Sequence, residues 1–294
     1  MGAVSTAYPF ALAAALLWGV SPVFTKRGIV RGGTSFHGAL TVVTAGTGCY
    51  LVGLTIRGNL GGLLTLPPLA VLLFALSGVI GASVWLGFFA GVDRVGASIA
   101  TAGFSTHPLF AAVIALVALG EALSPLTAVG VVILVAGLVL VASSKGGDRS
   151  GWALRDLVFP LSAAAAYAVS NVIRRHGLTA TPATPLEAIT INVVASLVVL
   201  LGYALVTHER QRRPSAASVR AFVASGLLSA VALLSLFEAF ARGPVAVVSA
   251  LSGLSTVVTT VVTAVFLADV ERVTRGVVAG ACLVVCGAAL ITVG

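Results

Sequence analysis

The sequence predicts an all-α integral membrane protein: ten transmembrane helices arranged as two inverted five-helix repeats. Three observations predict it. The first is composition. Of 294 residues, 59% are hydrophobic and only 9% are charged, with a mean hydropathy of +1.12. A soluble domain carries about 25% charged residues, so this chain cannot cover a water-facing surface, and a soluble enzyme is excluded. The same numbers exclude disorder, coiled coil and collagen. The second is run length. The apolar runs are about 20 residues long and lack a period of two, which suits spanning helices rather than barrel strands of about ten residues. The third is self-similarity at an offset near 150.

The ten spans, in order, are 8–26, 36–56, 68–91, 95–119, 124–143, 157–175, 184–206, 216–241, 244–268 and 273–293. Helices of about 20 residues use most of the chain, so no soluble domain is hidden between them. The most polar stretches are Lys145 to Asp156 and His208 to Arg220. The first divides the chain into repeats at 1–145 and 155–294, with a linker at 146–154. The 33 Gly and 11 Pro residues suit a bundle in which small residues let helices approach and Pro kinks them.

The repeat is read from three anchors. Leu12 to Ile29 matches Leu161 to Leu178 at an offset of 149, pairing Val20 with Val169, Ser21 with Ser170 and Gly28 with Gly177. Trp18 meets Tyr167, and Lys26 meets Arg175. Glu121, Gly130 and Gly137 recur as Glu271, Gly280 and Gly287 at an offset of 150, and Arg94 recurs as Arg242 at 148. Five spans per half is an odd number, so the second half enters the membrane from the opposite side. Inverted repeats are the architecture of secondary transporters, which alternate between two equivalent states around a midplane site.

The halves resemble the EamA-type repeat of the drug/metabolite transporter superfamily. The carrying residues are ALLWGVSPVFTK (15–26), THPLFAAVIALVALGEALS (106–124) and GVVILVAGLVL (130–140), then AYAVSNVIRR (166–175) and LADVERVTRGVVAGACLVVCGAAL (267–290). The resemblance implies a transporter that exports or exchanges amino acids, drugs, sugars, nucleotide sugars or related metabolites. It departs from the family pattern in the second helix, where Thr41 and Thr44 replace an Arg. Pro108 has no repeat partner in the ninth helix, where Val257 and Val258 stand.

An ionisable side chain inside a span costs at least about 2.5–3.5 kcal/mol at the bilayer centre, so each is a functional candidate. Glu238 lies well inside the eighth span and matches Ala90 in the first half. It reads either as a proton-coupling carboxyl or as a structural partner of Arg242 at i,i+4. His107 precedes Pro108, which frees a carbonyl near Phe104 and suggests a broken helix facing a cavity. Trp18, Ser21 and Pro22 share one helical face, and Tyr167, Ser170 and Asn171 match them. Together they suggest a substrate-binding midplane site. Trp85 and Phe89, with Phe88, Phe237 and Phe240, read as an apolar wall or as packing. Asn192 and Ser252, with Thr190, Ser249 and Thr256, could bond a substrate or bridge helices.

Lys26 and Arg175, with Arg27 and Arg174, are placed at helix ends, where they read as a gate or as dipole partners. Glu121 and Glu271 read as structural ties or caps. There is no Walker-type loop, catalytic constellation, cofactor motif or metal-ligand pattern, so proton coupling or exchange is the expected energy source and no enzyme activity is expected. A membrane-embedded lipid enzyme or a receptor scaffold is the rival reading. An enzyme should show clustered acids or metal ligands, and a scaffold gives no reason for the repeat.

The net charge of +8 reads as basic loops beside anionic lipid rather than as a nucleic-acid surface. The expected partners are therefore a small-molecule substrate, the lipid bilayer and protons, with a monomer sufficient. Cys49, Cys282 and Cys286 fall inside spans and suggest no metal. No cleavable signal is evident, and the expected location is the inner (plasma) membrane. Of the 17 Lys and Arg, 13 fall in loops on the side of the first loop. The positive-inside rule then puts both termini outside, whereas the family resemblance implies termini inside.

Overall fold

The computed structural model describes residues 6–95, 97–144, 153–207, 214–266 and 274–293. Every regular element among them is helical. The helices are α1 (Tyr8–Val30), α2 (Ser35–Ile56), α3 (Gly62–Thr65), α4 (Pro68–Val95), α5 (Ala97–Phe104), α6 (His107–Leu119), α7 (Pro125–Ser143), α8 (Val158–Ala180), α9 (Pro185–Thr207), α10 (Ala216–Arg242), α11 (Val245–Ser252), α12 (Ser255–Phe266) and α13 (Arg275–Val293). Among the described residues, nine helical stretches are long and apolar enough to cross a membrane, and α4 adds a shorter apolar stretch, Pro68–Val84. Most of the expected linker lies outside the described residues.

Local chemistry sets the boundaries. Thr34 caps α2, with its hydroxyl accepting from the His37 backbone and the His37 ring facing back. Ser124 caps α7 ahead of Pro125, and Ser215 caps α10. Such caps satisfy amide donors that the first turn leaves unpaired. Gly120 ends α6 in the left-handed conformation (φ 65°), which glycine adopts without steric penalty.

Two spans are broken, one in each half. The helix before Pro108 stops at Phe104 and restarts at His107. Pro108 supplies no N–H and would crowd the carbonyl four residues back. The second break, between α11 and α12 at Gly253–Leu254, has no proline. There 3₁₀-type bonds run from Gly253 N to Ala250 O, from Leu254 N to Leu251 O and from Thr256 N to Gly253 O. The fourth and ninth spans, which differ in carrying a proline, are thus both broken, at matching positions.

Two expected helix ends shift. α1 runs to Val30 and α8 to Ala180, so Lys26, Arg174 and Arg175 lie inside helices rather than at their ends, while Arg27 stands in the last turn of α1. In α8 the last turn is closed by Thr179 donating to Arg175 O and Thr181 donating to Gly177 O.

Packing runs crosswise between the halves. α1 lies along α10, and α8 lies along α4. A Cβ on Gly28 would stand closer than 3.0 Å to the Phe222 ring, and a Cβ on Gly177 would stand 2.7 Å from the Phe74 ring. Ser21 Oγ lies 2.7 Å from Ser225 Oγ, and Ser170 Oγ donates to Ser77 O at 2.9 Å. These are the same contacts made twice, at sequence offsets of 148 and 149. α7 and α13 meet through glycines in opposite register. A Cβ on Gly130 would stand 2.9 Å from Gly287 O, and one on Gly137 would stand 2.7 Å from Gly280 O. Antiparallel contact this close requires small residues.

Candidate functional site

α8 presents Tyr167, Ser170, Asn171 and Arg174 at i, i+3, i+4 and i+7, which is one face of a helix. That face is turned into the bundle, against α4, α5, α6, α10 and α11. Ser170 and Asn171 are fully buried, and Arg174 is 4% exposed. Its Nη1 donates to Asn171 Oδ1 at 3.0 Å, and Asn171 Nδ2 lies 3.4 Å from Ser249 Oγ. Its Nε has no partner among the described residues. Its guanidinium carbon lies 5.4 Å from the Phe237 ring centre and 5.9 Å from that of Tyr167. A Cβ on Gly81 would stand 3.2 Å from Nη2, so the absent side chain there makes room for the charge.

His107, 7% exposed, opens α6 directly below the break. Its ring meets Tyr167 edge-on with centres 4.9 Å apart and lies 5.5 Å from Phe104. Phe104 in turn touches Tyr167 and Phe88. Its Nδ1 is buried without a partner. Tyr167 thus sits between two buried polar groups with unused hydrogen-bonding capacity. Buried polar groups are normally satisfied, and an unsatisfied one costs about 1–3 kcal/mol.

The other expected site residues are placed as follows. Trp18 is half-buried against the larger core cluster, and Pro22 is exposed within an unbroken α1. Ser21 joins a hydroxyl chain with Ser225 and Ser229 in the α1–α10 seam. Asn192 is buried and donates to Phe74 O and Ser77 Oγ, tying α9 to α4. Ser252 is buried and donates to Ser249 O just above the second break. Trp85 and Phe89 lie on α4, and their side chains fall outside the described residues, as does Glu271. Glu238 is ion-paired with Arg242 one turn on, and Arg242 also donates to the Glu238 carbonyl and lies over Phe10. Lys26 is exposed. Arg175 pairs with Glu121 at 3.2 Å and donates to Phe240 O, while the second Glu121 oxygen accepts from Val245 N. Glu121 therefore ties α8 to the start of α11 in the second half.

Arg174, which the sequence placed at a helix end as a gate or dipole partner, is instead buried in the bundle. The available signal was the repeat itself, which aligns Arg174 with Thr25, an uncharged residue that bonds Ser225. Among described residues three or more His, Cys, Asp or Glu side chains never gather as a metal site.

These features define a polytopic helical membrane protein built from two related halves, with buried polar side chains on α8 and beside the two helix breaks among those spread through the bundle. The EamA-like transporter family matches residues 5–143 and again 156–293, and the chain belongs to that family. It is thus a membrane transporter for small solutes. One solved crystal structure is similar over 98% of this chain and 97% of its own, with a TM-score of 0.82 and 21% identity. That likeness is one of fold. No curated protein matches the chain significantly.

Proposed function

We propose that the protein is a secondary active exporter of a small organic metabolite, working by alternating access between two inverted five-helix repeats. The ten spans divide at 1–145 and 155–294, and the protein resides in the inner (plasma) membrane. The observation that carries the reading is the doubled contact set. Ser21–Ser225 and Ser170–Ser77 repeat across the molecule, as do Gly28–Phe222 and Gly177–Phe74. Each half lends its first helix to the other half's third. A bundle built this way has two related arrangements of nearly equal energy, and broken helices at matching positions supply the irregular backbone that transport sites use. Trp18, Tyr167, Asn171, His107 and Ser252 belong to the substrate path. Lys26 and Arg175 act at its ends.

Energy comes from protons or from exchange. Glu238 is the proton-coupling candidate, because a membrane carboxylate paired to one cation can be released when that pair opens. The test is flux. Purified protein in liposomes should catalyse counterflow of a labelled metabolite from a broad panel. No flux above protein-free vesicles across that panel would sink the proposal.

A further inference from the structure

We propose that Arg174 is the anion anchor of the transport site, holding the carboxylate of a small monoanionic organic acid whose apolar body lies among Phe104, Tyr167 and Phe237. This rests on the transport reading above and names the chemistry of its solute.

A guanidinium is always charged and has five donors in a fixed fork. Held in a membrane bundle it requires a counter-charge, because an uncompensated buried ion is strongly destabilising. Each carboxylate whose side chain is described is already engaged elsewhere. Glu121 holds Arg175 and Val245 N, and Glu238 holds Arg242. Glu187 holds Asn59 and Thr184, and Asp156 holds Ala153 N. Asn171 and the Tyr167 hydroxyl supply neutral partners to the guanidinium, and Nε is left unused. A planar carboxylate meeting the guanidinium edge is the partner such a fork is shaped for.

The surroundings set the size of the charge. Arg174 is the one buried Lys or Arg among the described residues, so a single negative charge is balanced, whereas a doubly charged phosphate is not. Phe104, Tyr167 and Phe237 give an apolar, ring-rich wall. Buried His107 Nδ1, on the far side of Tyr167, is a second unpartnered polar atom for a solute group. Gly81, lacking a side chain, lets Nη2 lie against the α4 backbone.

The test uses 3-phenylpropionate and 4-methylpentanoate against their uncharged amides, read as thermal stabilisation of the purified protein. Only a state that binds is stabilised by ligand. The acids should bind wild type at least tenfold more tightly than the amides, as expected for hydrogen bonds to a charged group. Arg174→Gln should bring that preference within about twofold, and Arg220→Gln, on the exposed start of α10, should leave it intact. If Arg174→Gln does not fold, Gly81→Ala serves. Its methyl crowds Nη2 and should weaken the acids while sparing the amides. Acids and amides that stabilise wild type equally, or not at all, overturn the anchor, and so does an acid preference that survives Arg174→Gln. The two readings fail separately. Arg174-dependent acid binding without liposome flux removes transport and leaves the site. Flux with no Arg174-dependent acid preference removes the anchor and leaves transport.

Discussion

The antiparallel glycine contact between α7 and α13 makes a sharp prediction. In Gly137→Ala the new methyl would stand 2.7 Å from both Gly280 O and Val284 N. Both are backbone atoms, so no side chain can swing aside and the whole of α13 must retreat. Overpacking of this kind costs about 1–3 kcal/mol, and the backbone partner places it at the upper end. Gly280→Ala meets the same wall from the other side, 2.8 Å from Gly137 O. Once α13 has retreated for one methyl, the second has more room, so the double variant should lose less than the two singles together, with a coupling of about 0.5–3 kcal/mol. Gly48 in α2 and Gly202 in α9 have nothing within 4 Å of such a Cβ. Their Ala variants should hold or gain up to about 1 kcal/mol through helix propensity. Thermal unfolding in detergent, followed by circular dichroism, reads all five proteins on one scale. A Gly137→Ala protein as stable as Gly48→Ala would refute the close-contact reasoning.

Three further outcomes are expected. Glu121→Gln removes the charge that holds Arg175 and weakens the tie to Val245 N, and it should lower stability by about 1.5–3 kcal/mol; a double variant with Arg175→Gln should lose little more, which a double-mutant thermal cycle measures. Tyr50→Phe deletes the bond that the buried hydroxyl makes to Ala230 O at 2.7 Å and should cost about 1 kcal/mol in the same assay, with flux retained. Glu238→Gln should flatten the response of liposome flux to an imposed proton gradient. Flux that answers the gradient as in wild type would assign Glu238 to the structural pair with Arg242.

Much of the site was legible where the relevant partners are close in sequence. Glu238 and Arg242 stand one turn apart, so their pairing follows from helix geometry. Pro108 announced its helix break because the reason is carried by the proline ring itself. The matching break at Gly253–Leu254 was not announced. Its 3₁₀ bonds are available to any sequence, and Gly253 is placed by Leu138 of α7, whose Cδ1 would stand 2.9 Å from an added Cβ. Glu187 was also silent. Its buried carboxylate joins a capping arrangement with Thr184 to Asn59, 128 residues earlier, a distance that no local pattern spans.

Sequence alone determined that the chain is a set of apolar membrane spans and that it divides into two related halves. Each bilayer crossing demands about 20 apolar residues whatever its neighbours do, and duplicated segments keep their spacing. Tertiary structure decided what the adjacent arginines of α8 do. Arg174 and Arg175 differ by about 100° around a helix of 3.6 residues per turn. One faces Asn171 and the aromatic cluster with its Nε unpaired, and the other reaches Glu121. Two neighbours of identical chemistry acquire opposite roles because only the packing of α4, α6, α10 and α11 around α8 settles which side of that helix is inside.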